Sequence, residues 1–441
     1  MDADVIVIGA GVAGLRCARA LEDAGLHVLT VDAGQSVGGR IRSSRIDGFT
    51  CDWGLQTLNP QMPAVQRWVD LDRLDMKYPM AAFLVRRTDG PQVFGDPRRV
   101  PRLLPSMVRN RMISAGDLTA LARWSASGLV GGRVLDSEND TTLVESLDEF
   151  RVGRALREEL LLPVLYSMLA DSSGTTSAAY AKWVLHSILA GTPGLPAHGM
   201  QALPELLASQ LVSPVRLEVH ASAVLETALG VEVRTWGETL RAQKAVVAVS
   251  PEAVNQLLPV RRPRMQGVAT WWFRAPEAPF SLPVFALDGR GPIGPVWTAV
   301  EVTSFAPSYA PPQQHLIAAK TLLDRFDGRA NARVVRRHLS AIYGVPTDDW
   351  EVVAHFELPN AIPTHRPPLS DRQQVRIWNN VYVAGDHRKT GSLHGAMVSG
   401  QRAAEAVLVD LGLTASGSTR HRPVTGLHRL QPAAATEAPA S

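Results

Sequence analysis

Cysteine is nearly absent: Cys17 and Cys51 are the only two in 441 residues. Neither sits in a C-x-x-C or among histidines, so neither a disulfide framework nor a zinc site is expected. An excess of charge is missing too. Lys and Arg number 45 against 42 Asp and Glu, and the net charge of +3 describes a solvated surface with a mild basic bias, not a nucleic-acid partner. No apolar run approaches the roughly 20 residues that cross a bilayer. Only residues 1–4 precede the first apolar run, which leaves no room for a signal peptide. These absences imply a cytoplasmic protein without a metal centre. The 45% of apolar and 20% of charged residues suit a globular fold. The length suits two interleaved domains rather than one core.

The N-terminal stretch reads strand, turn, helix, strand. Residues 5–8 form a continuous apolar strand of the kind buried on both faces of a parallel sheet. Residues 12–24 have helical periodicity and stop at Gly25, a natural C-cap; residues 28–31 are the next strand. Between the first strand and the helix lies Gly9-Ala10-Gly11-Val12-Ala13-Gly14. The first glycine permits the tight turn, the second lets backbone approach a pyrophosphate, and the third lets helix and strand pack closely. The helix N-terminus offers unpaired N–H groups to phosphates. Asp32, with Ala33 beside it, ends the second strand where a carboxylate can accept from a ribose diol. The same G-x-G-x-x-G spelling recurs over residues 289–294, but Pro292 and Pro295 forbid a helix there and predict a hairpin turn. Gly38-Gly39-Arg40 can lie against a ligand, with Arg40 pairing to phosphate oxygens. A second Gly-Gly-Arg at 131–133 has no acidic strand end before it and reads as a loop.

Residues 97–190 are expected to be mainly helical, with a further amphipathic helix over 201–212. Strand-like alternation follows over 215–249 and 268–303, then a helix near 328–343, a strand at 381–384 and a last helix over 395–411. Residues past about 414 cannot build a core and are expected to be a disordered tail. The segment 97–131 combines Arg98, Arg99, Arg102, Arg109 and Arg111 with Leu and Met. Two readings stay open: a greasy access route touching the cytoplasmic face of a membrane, or an amphipathic helix with a solvated basic face.

Near the C-terminus an apolar strand ends in Gly385-Asp386, and Asp386 can hold a sugar-alcohol hydroxyl. Small residues at Gly395, Ala396, Ser399, Gly400, Ala403 and Ala404 give the last helix a face for close approach, and Met397 lies in its first turn. Its N-terminus could stabilise negative charge on a bound ring. His387, Arg388 and His394 are the acid/base candidates near that end.

Four segments together resemble the flavin amine oxidase and phytoene desaturase-like superfamily. They are the glycine turn with Asp32; Ser36-Val37-Gly38-Gly39-Arg40 leading to Asp52-Trp53-Gly54; Pro196-Ala197-His198-Gly199-Met200-Gln201-Ala202-Leu203; and the block from Gly385 to Glu405. The resemblance implies non-covalent FAD, with no cysteine placed for a cysteinyl link. It implies an α/β fold: a Rossmann-like FAD-binding domain of the glutathione-reductase/p-hydroxybenzoate-hydroxylase type, carrying an inserted α+β substrate domain. The expected division gives 1–85, 195–260 and 350–413 to FAD, and 86–194 and 261–349 to the substrate. By the same resemblance Gly9, Gly11 and Gly14, with Val12 and Ala13, hold the pyrophosphate. Asp32 and Ala33 take the adenosine ribose, and Gly39 and Arg40 line flavin or phosphates. Gly385 and Asp386 meet the ribityl chain, and Ala396 and Met397 lie near the isoalloxazine.

Three departures bear on chemistry. Ser36 stands where the family commonly has an arginine. The stretch 267–273 lacks the lysine usual in amine-oxidising members, leaving Lys320 and Lys389 as substitutes. Ser392 stands where those members place an aromatic residue. The favoured expectation is therefore dehydrogenation or desaturation of a small, lipophilic, isoprenoid- or tetrapyrrole-like compound by hydride transfer to the flavin. An amine or polyamine oxidase and a non-catalytic flavin-binding protein are the alternatives. With one credible dinucleotide turn, no NAD(P)H domain is expected, and oxygen, a quinone or another protein remain as electron acceptors.

Overall fold

The computed structural model describes residues 1–103, 105, 114–126, 139–325, 327, 329–369 and 373–413. The first strand, β1 (Ala3–Ile8), carries Val5, Ile6 and Val7 with no exposed surface, as its apolar run requires. It leads through the glycine turn into α1 (Val12–Glu22), and β2 (Val28–Val31) returns parallel to β1. A hairpin of β3 (Ser43–Ile46) and β4 (Phe49–Asp52) follows, then α2 (Pro63–Trp68) and the short β5 (Met76–Lys77). Next come β6 (Ala82–Arg87) and β7 (Gly90–Gly95), paired antiparallel.

The middle is helical, as expected: α3 (Ala115–Ala126), α4 (Leu143–Glu149), α5 (Leu162–Leu169) and α6 (Ala178–Ala190). Trp124, Leu143, Leu147, Leu165, Tyr180 and Val184 form their shared core. Helix α4 begins at a reciprocal cap between Thr142 and Glu145. After β8 (Leu195–Pro196), α7 (Ala202–Ala208) is the predicted amphipathic helix, shorter than 201–212.

Alternation over 215–249 resolves into β9 (Ala221–Thr227), β10 (Gly230–Thr235) and β11 (Thr239–Val247), followed by α8 (Pro251–Leu257). The second β-rich stretch holds β12 (Met265–Ala275), β13 (Phe285–Asp288), β14 (Val296–Glu301) and β15 (His315–Leu322). Then come α9 (Ala332–Tyr343), β16 (Glu351–Pro363), β17 (Val381–Val383) and α10 (Leu393–Asp410). The second G-x-G-x-x-G connects β13 to the antiparallel β14, so it is a hairpin turn. The tail beyond 413, the Gly-Gly-Arg at 131–133 and the positions of Arg109 and Arg111 lie outside the described residues.

Two sheets organise these elements. The six-stranded sheet runs β2-β1-β11-β10-β9, with β17 beside β11. Strand β11 is shared along its length: residues 239–242 pair antiparallel with β10, and 245–247 pair parallel with β17. Helices α1 and α10 cover one face, and Gly400 makes their approach close, since a Cβ there would sit 2.1 Å from the Ala13 carbonyl oxygen. The seven-stranded sheet runs β16-β12-β15-β14-β13-β6-β7. Residues 82–85 and 351–363 belong to it by pairing, through β6 with β13 and β16 with β12, although the sequence boundaries put them with the first unit. A core containing Ala10, Leu15, Met200, Trp272 and Met397 joins elements of both sheets. Among the described residues no helix is long and apolar enough to cross a membrane. Arg98 is exposed and pairs with Asp96, whereas Arg99 is partly buried between Asp96 and the Leu189 carbonyl, to which it donates at 2.5 Å, capping α6.

Candidate active site

A cavity of about 660 Å³, within the usual range for small-molecule sites, is lined by elements of both sheets. One half is built by the glycine turn. Gly9 has φ of 108°, and a Cβ on it would lie 2.6 Å from the Ala248 carbonyl oxygen. A Cβ on Gly14 would lie 1.8 Å from the Gly9 oxygen, so it serves close packing and does not line the cavity. Gly11 lines it, with nothing within 4 Å of where a Cβ would be, which leaves backbone open to a ligand. Val12, Ala13, Asp32, Ala33 and Gly39 line it as well. Asp32 is oriented by two backbone donors, Ala10 N–H at 2.6 Å and Gly34 N–H at 2.7 Å.

At the other end of this half, Arg40 Nη2 donates to Asp386 Oδ1 at 2.5 Å and Nη1 to the Ala361 carbonyl at 2.7 Å. The guanidinium thereby ties the first loop to the end of β17 and to β16. Gly385, Asp386 and Ala396 line the cavity. Met397 does not: the next position on a helix turns about 100° away, and its side chain is fully buried in the joint core.

The three acid/base candidates are not among the lining residues. His394 accepts from Ala64 N–H at 3.3 Å and tilts against Trp183, and Arg388 donates to the Gln374 carbonyl. His387 is buried, its two ring nitrogens without a partner among the described residues. Burial pushes the His387 and His394 imidazoles down to about 4, so both are neutral at pH 7.

Lys320 apart, the second half comes from residues that local sequence did not single out. Tyr180, Trp183, Val184, Ser187 and Ile188 lie at i, i+3, i+4, i+7 and i+8 on α6, one face turned to the cavity. That spacing is indistinguishable from a core face without knowing what the helix packs on. Tyr180 donates to the Gly391 carbonyl at 3.0 Å and meets His365 edge-on at 4.4 Å between ring centres. His365 accepts from Gly391 N–H at 2.7 Å, and burial holds it down to about 4. Met168, Val268 and Ile362 continue the apolar wall. Lys320, on β15, lines it too, donating to the Ser167 carbonyl at 2.7 Å. In the sequence it stood as one of two substitutes for the lysine missing from 267–273. Lys389, the other substitute, does not line the cavity.

The lining fits FAD. It offers open backbone at Gly11, the oriented Asp32 and the Arg40–Asp386 pair. On two further lining residues, Arg42 Nε and Gln56 Oε1 are buried without a hydrogen-bond partner among the described residues. Arg42 approaches Gly34 and lies over the Trp53 ring at 5.2 Å, so it brings a guanidinium to the loop where Ser36 supplies none. Cys17 and Cys51 are buried and neither lines the cavity, so no thiol reaches a group held there.

Comparison with known proteins gives the same result. Residues 12–408 match the family described as flavin containing amine oxidoreductase. The chain is 26% identical to putrescine oxidase of Kocuria rosea over 302 residues, 58% of this chain; that match spans 59% of the relative's length. A protoporphyrinogen oxidase-like protein of Exiguobacterium superposes with a TM-score of 0.72 at 19% identity, over 92% of this chain and 98% of that one. A fatty acid isomerase of P. acnes superposes with a TM-score of 0.69 at 17% identity, over 92% and 98%. At such identities these two structures establish the fold. Together with the family match, the chain belongs to the flavin-containing amine oxidoreductases, and it is an FAD-dependent oxidoreductase.

Proposed function

We propose that the protein dehydrogenates or desaturates a small lipophilic compound, with FAD as the hydride acceptor. One observation carries this reading. Met168, Trp183, Val184, Ile188, Val268 and Ile362 make the substrate half of the cavity apolar, and Lys320 is its one charged lining residue. No carboxylate stands there among the described residues to receive an amine cation. Asp32 and Asp386, the two acids on the lining, are engaged at the cofactor half. In this proposal the six-stranded sheet with α1 and α10 carries the cofactor. Helices α3–α6 and the seven-stranded sheet form the substrate part.

The chain's own contribution is position and dryness. The α6 face orients an apolar substrate, and the Tyr180–His365 pair closes the wall beside Gly391. Burial holds the Tyr180 phenol neutral, well above its ordinary range, and His365 neutral below its own. Neither is a strong base at pH 7.

A second reading, amine oxidation, is favoured by the similarity to putrescine oxidase. Anaerobic mixing of the holoprotein with unsaturated or cyclic lipophilic donors, and separately with putrescine, tests both. Bleaching of the flavin bands by a lipophilic donor is the expected result. Bleaching by the amine alone would overturn the proposal in favour of the second reading.

A further inference from the structure

Lys320 stands in a strand whose neighbours Ile317, Ala318, Ala319, Thr321 and Leu322 are all fully buried. In register it faces Thr270 of β12 and Thr298 of β14, neither of which bears charge. Its ammonium spends one donor on the Ser167 carbonyl, and that is its hydrogen bond among the described residues. No acid forms an ion pair with it among the described residues. Asp171, just past α5, accepts from Ser173 and Thr176; Asp32 and Asp386 are held as described. Burial alone lowers this lysine to about 8, with no carboxylate opposing it. An ammonium taken out of water without a counter-charge is costly, and this one borders the cavity.

We infer that the substrate is a lipophilic acid whose carboxylate, or a comparable anionic group, seats against Lys320. This rests on the reading of the cavity as the site of a lipophilic substrate and adds what that substrate carries at one end. An anion supplies the missing counter-charge and accepts the lysine's remaining donors, in a site where charge-assisted bonds are strong. A cationic amine meets a like charge at the same place. The apolar face of α6 then lies along the rest of the molecule, with Met168 and Ile362 flanking the acid end.

The test titrates the holoprotein with decanoate, methyl decanoate and decylamine, following perturbation of the flavin's visible bands. The three share a chain and differ in charge. Decanoate is expected to bind about ten- to a hundredfold tighter than the ester, with decylamine weakest. Lys320→Met and Lys320→Gln, each checked for unchanged flavin content, are expected to erase the acid-over-ester preference while leaving ester affinity in place. Equal binding of acid and ester by the native protein overturns the inference and leaves the lipophilic reading standing. So does a preference that survives in a variant. Tightest binding by decylamine, with bleaching, overturns both.

Discussion

Arg40 and Asp386, 346 positions apart in the chain, meet at 2.5 Å on the wall of the cavity. The contact joins the loop after β2 to the end of β17, and it is made by two residues that the cofactor-binding motifs name separately. Removing Arg40 leaves the buried Asp386 without its ion pair, and removing Asp386 leaves the partly buried Arg40 without its own. Asp386→Ala and Arg40→Met are expected to weaken flavin retention by about 1–3 kcal/mol. The ratio of visible to ultraviolet absorbance after gel filtration reads this directly. Full retention in both variants would show the pair to be a surface tie unrelated to the cofactor.

Substitution at Trp183 distinguishes the two proposed halves of the site. Trp183 lines the substrate half and packs on Tyr180 at 5.9 Å and on His394 at 5.6 Å between ring centres. Trp183→Ala removes apolar wall without touching the glycine turn or Arg40. Methyl decanoate is expected to bind about tenfold more weakly, in line with losing 1–2 kcal/mol of apolar contact, with flavin content unchanged. Loss of flavin together with binding would place Trp183 against the cofactor instead.

The cofactor half was legible in the sequence because its chemistry is local. A turn that must bend at Gly9 and admit a helix at Gly14 needs those residues at that spacing, whatever the rest of the chain does. The discrimination between the two G-x-G-x-x-G copies held for the same reason: Pro292 and Pro295 act within a few residues. The substrate half was not legible. Tyr180 and Trp183 look like any buried helical face, and only the placement of α6 against the Gly391 loop makes them a wall. His387 and Arg388 misled because they are adjacent to Asp386 in sequence, yet a 3-10 turn over Asp386–Arg388 carries both away from the lining. The expected boundary at 85/86 falls inside β6, and the one at 349/350 just before β16, and the sequence could not show where these strands pair because their partners lie far off in the chain: β6 pairs with β13, and β16 with β12.

Gly400 sets the distance between α1 and α10 on one face of the six-stranded sheet. A side chain there must displace the Ala13 backbone. Gly400→Val is expected to destabilise by about 1–3 kcal/mol and lower the unfolding temperature. Gly237→Ala, exposed and with nothing within 4 Å of the new Cβ, is the matched control and should change little. Equal unfolding temperatures for the two variants would mean the helices can part freely.

Acid should destabilise the protein through its buried histidines. Burial lowers His365, His387 and His394 to about 4 from the 6.5 of an exposed imidazole. The folded state therefore prefers them neutral, and the unfolded chain takes up their protons first as pH falls. Their contribution is intact above pH 6.5 and is lost as pH drops towards 4. His387 is the clearest case, since neither ring nitrogen has a hydrogen-bond partner among the described residues, and burial outweighs the nearby Asp386 carboxylate 4.0 Å from Nδ1. His387→Leu is expected to shallow the fall in unfolding temperature between pH 6.5 and 4, by an amount of order 1–3 kcal/mol at the acid end. An unchanged profile in that variant would assign the acid sensitivity to other groups.

Lys320 has an effect of the same sign in a higher pH window. Its folded value of about 8 lies below the 10.5 of an exposed lysine, so folding favours the neutral amine. The stability this provides is full above pH 10.5 and is lost as pH falls through 8. At pH 7 the native protein holds a buried ammonium with no counter-charge, and folding opposes a cost of about 1–3 kcal/mol. Lys320→Met keeps the length of the side chain and removes that charge. Its unfolding temperature at pH 7 is expected to exceed the native one by roughly 2–5 °C, with the gap closing towards pH 10. Saturating decanoate should close the gap at pH 7 as well, because the ligand supplies to the native protein the counter-charge that the variant no longer needs. A Lys320→Met protein less stable than native at pH 7 would show that the bond to Ser167 outweighs the cost of burying the charge.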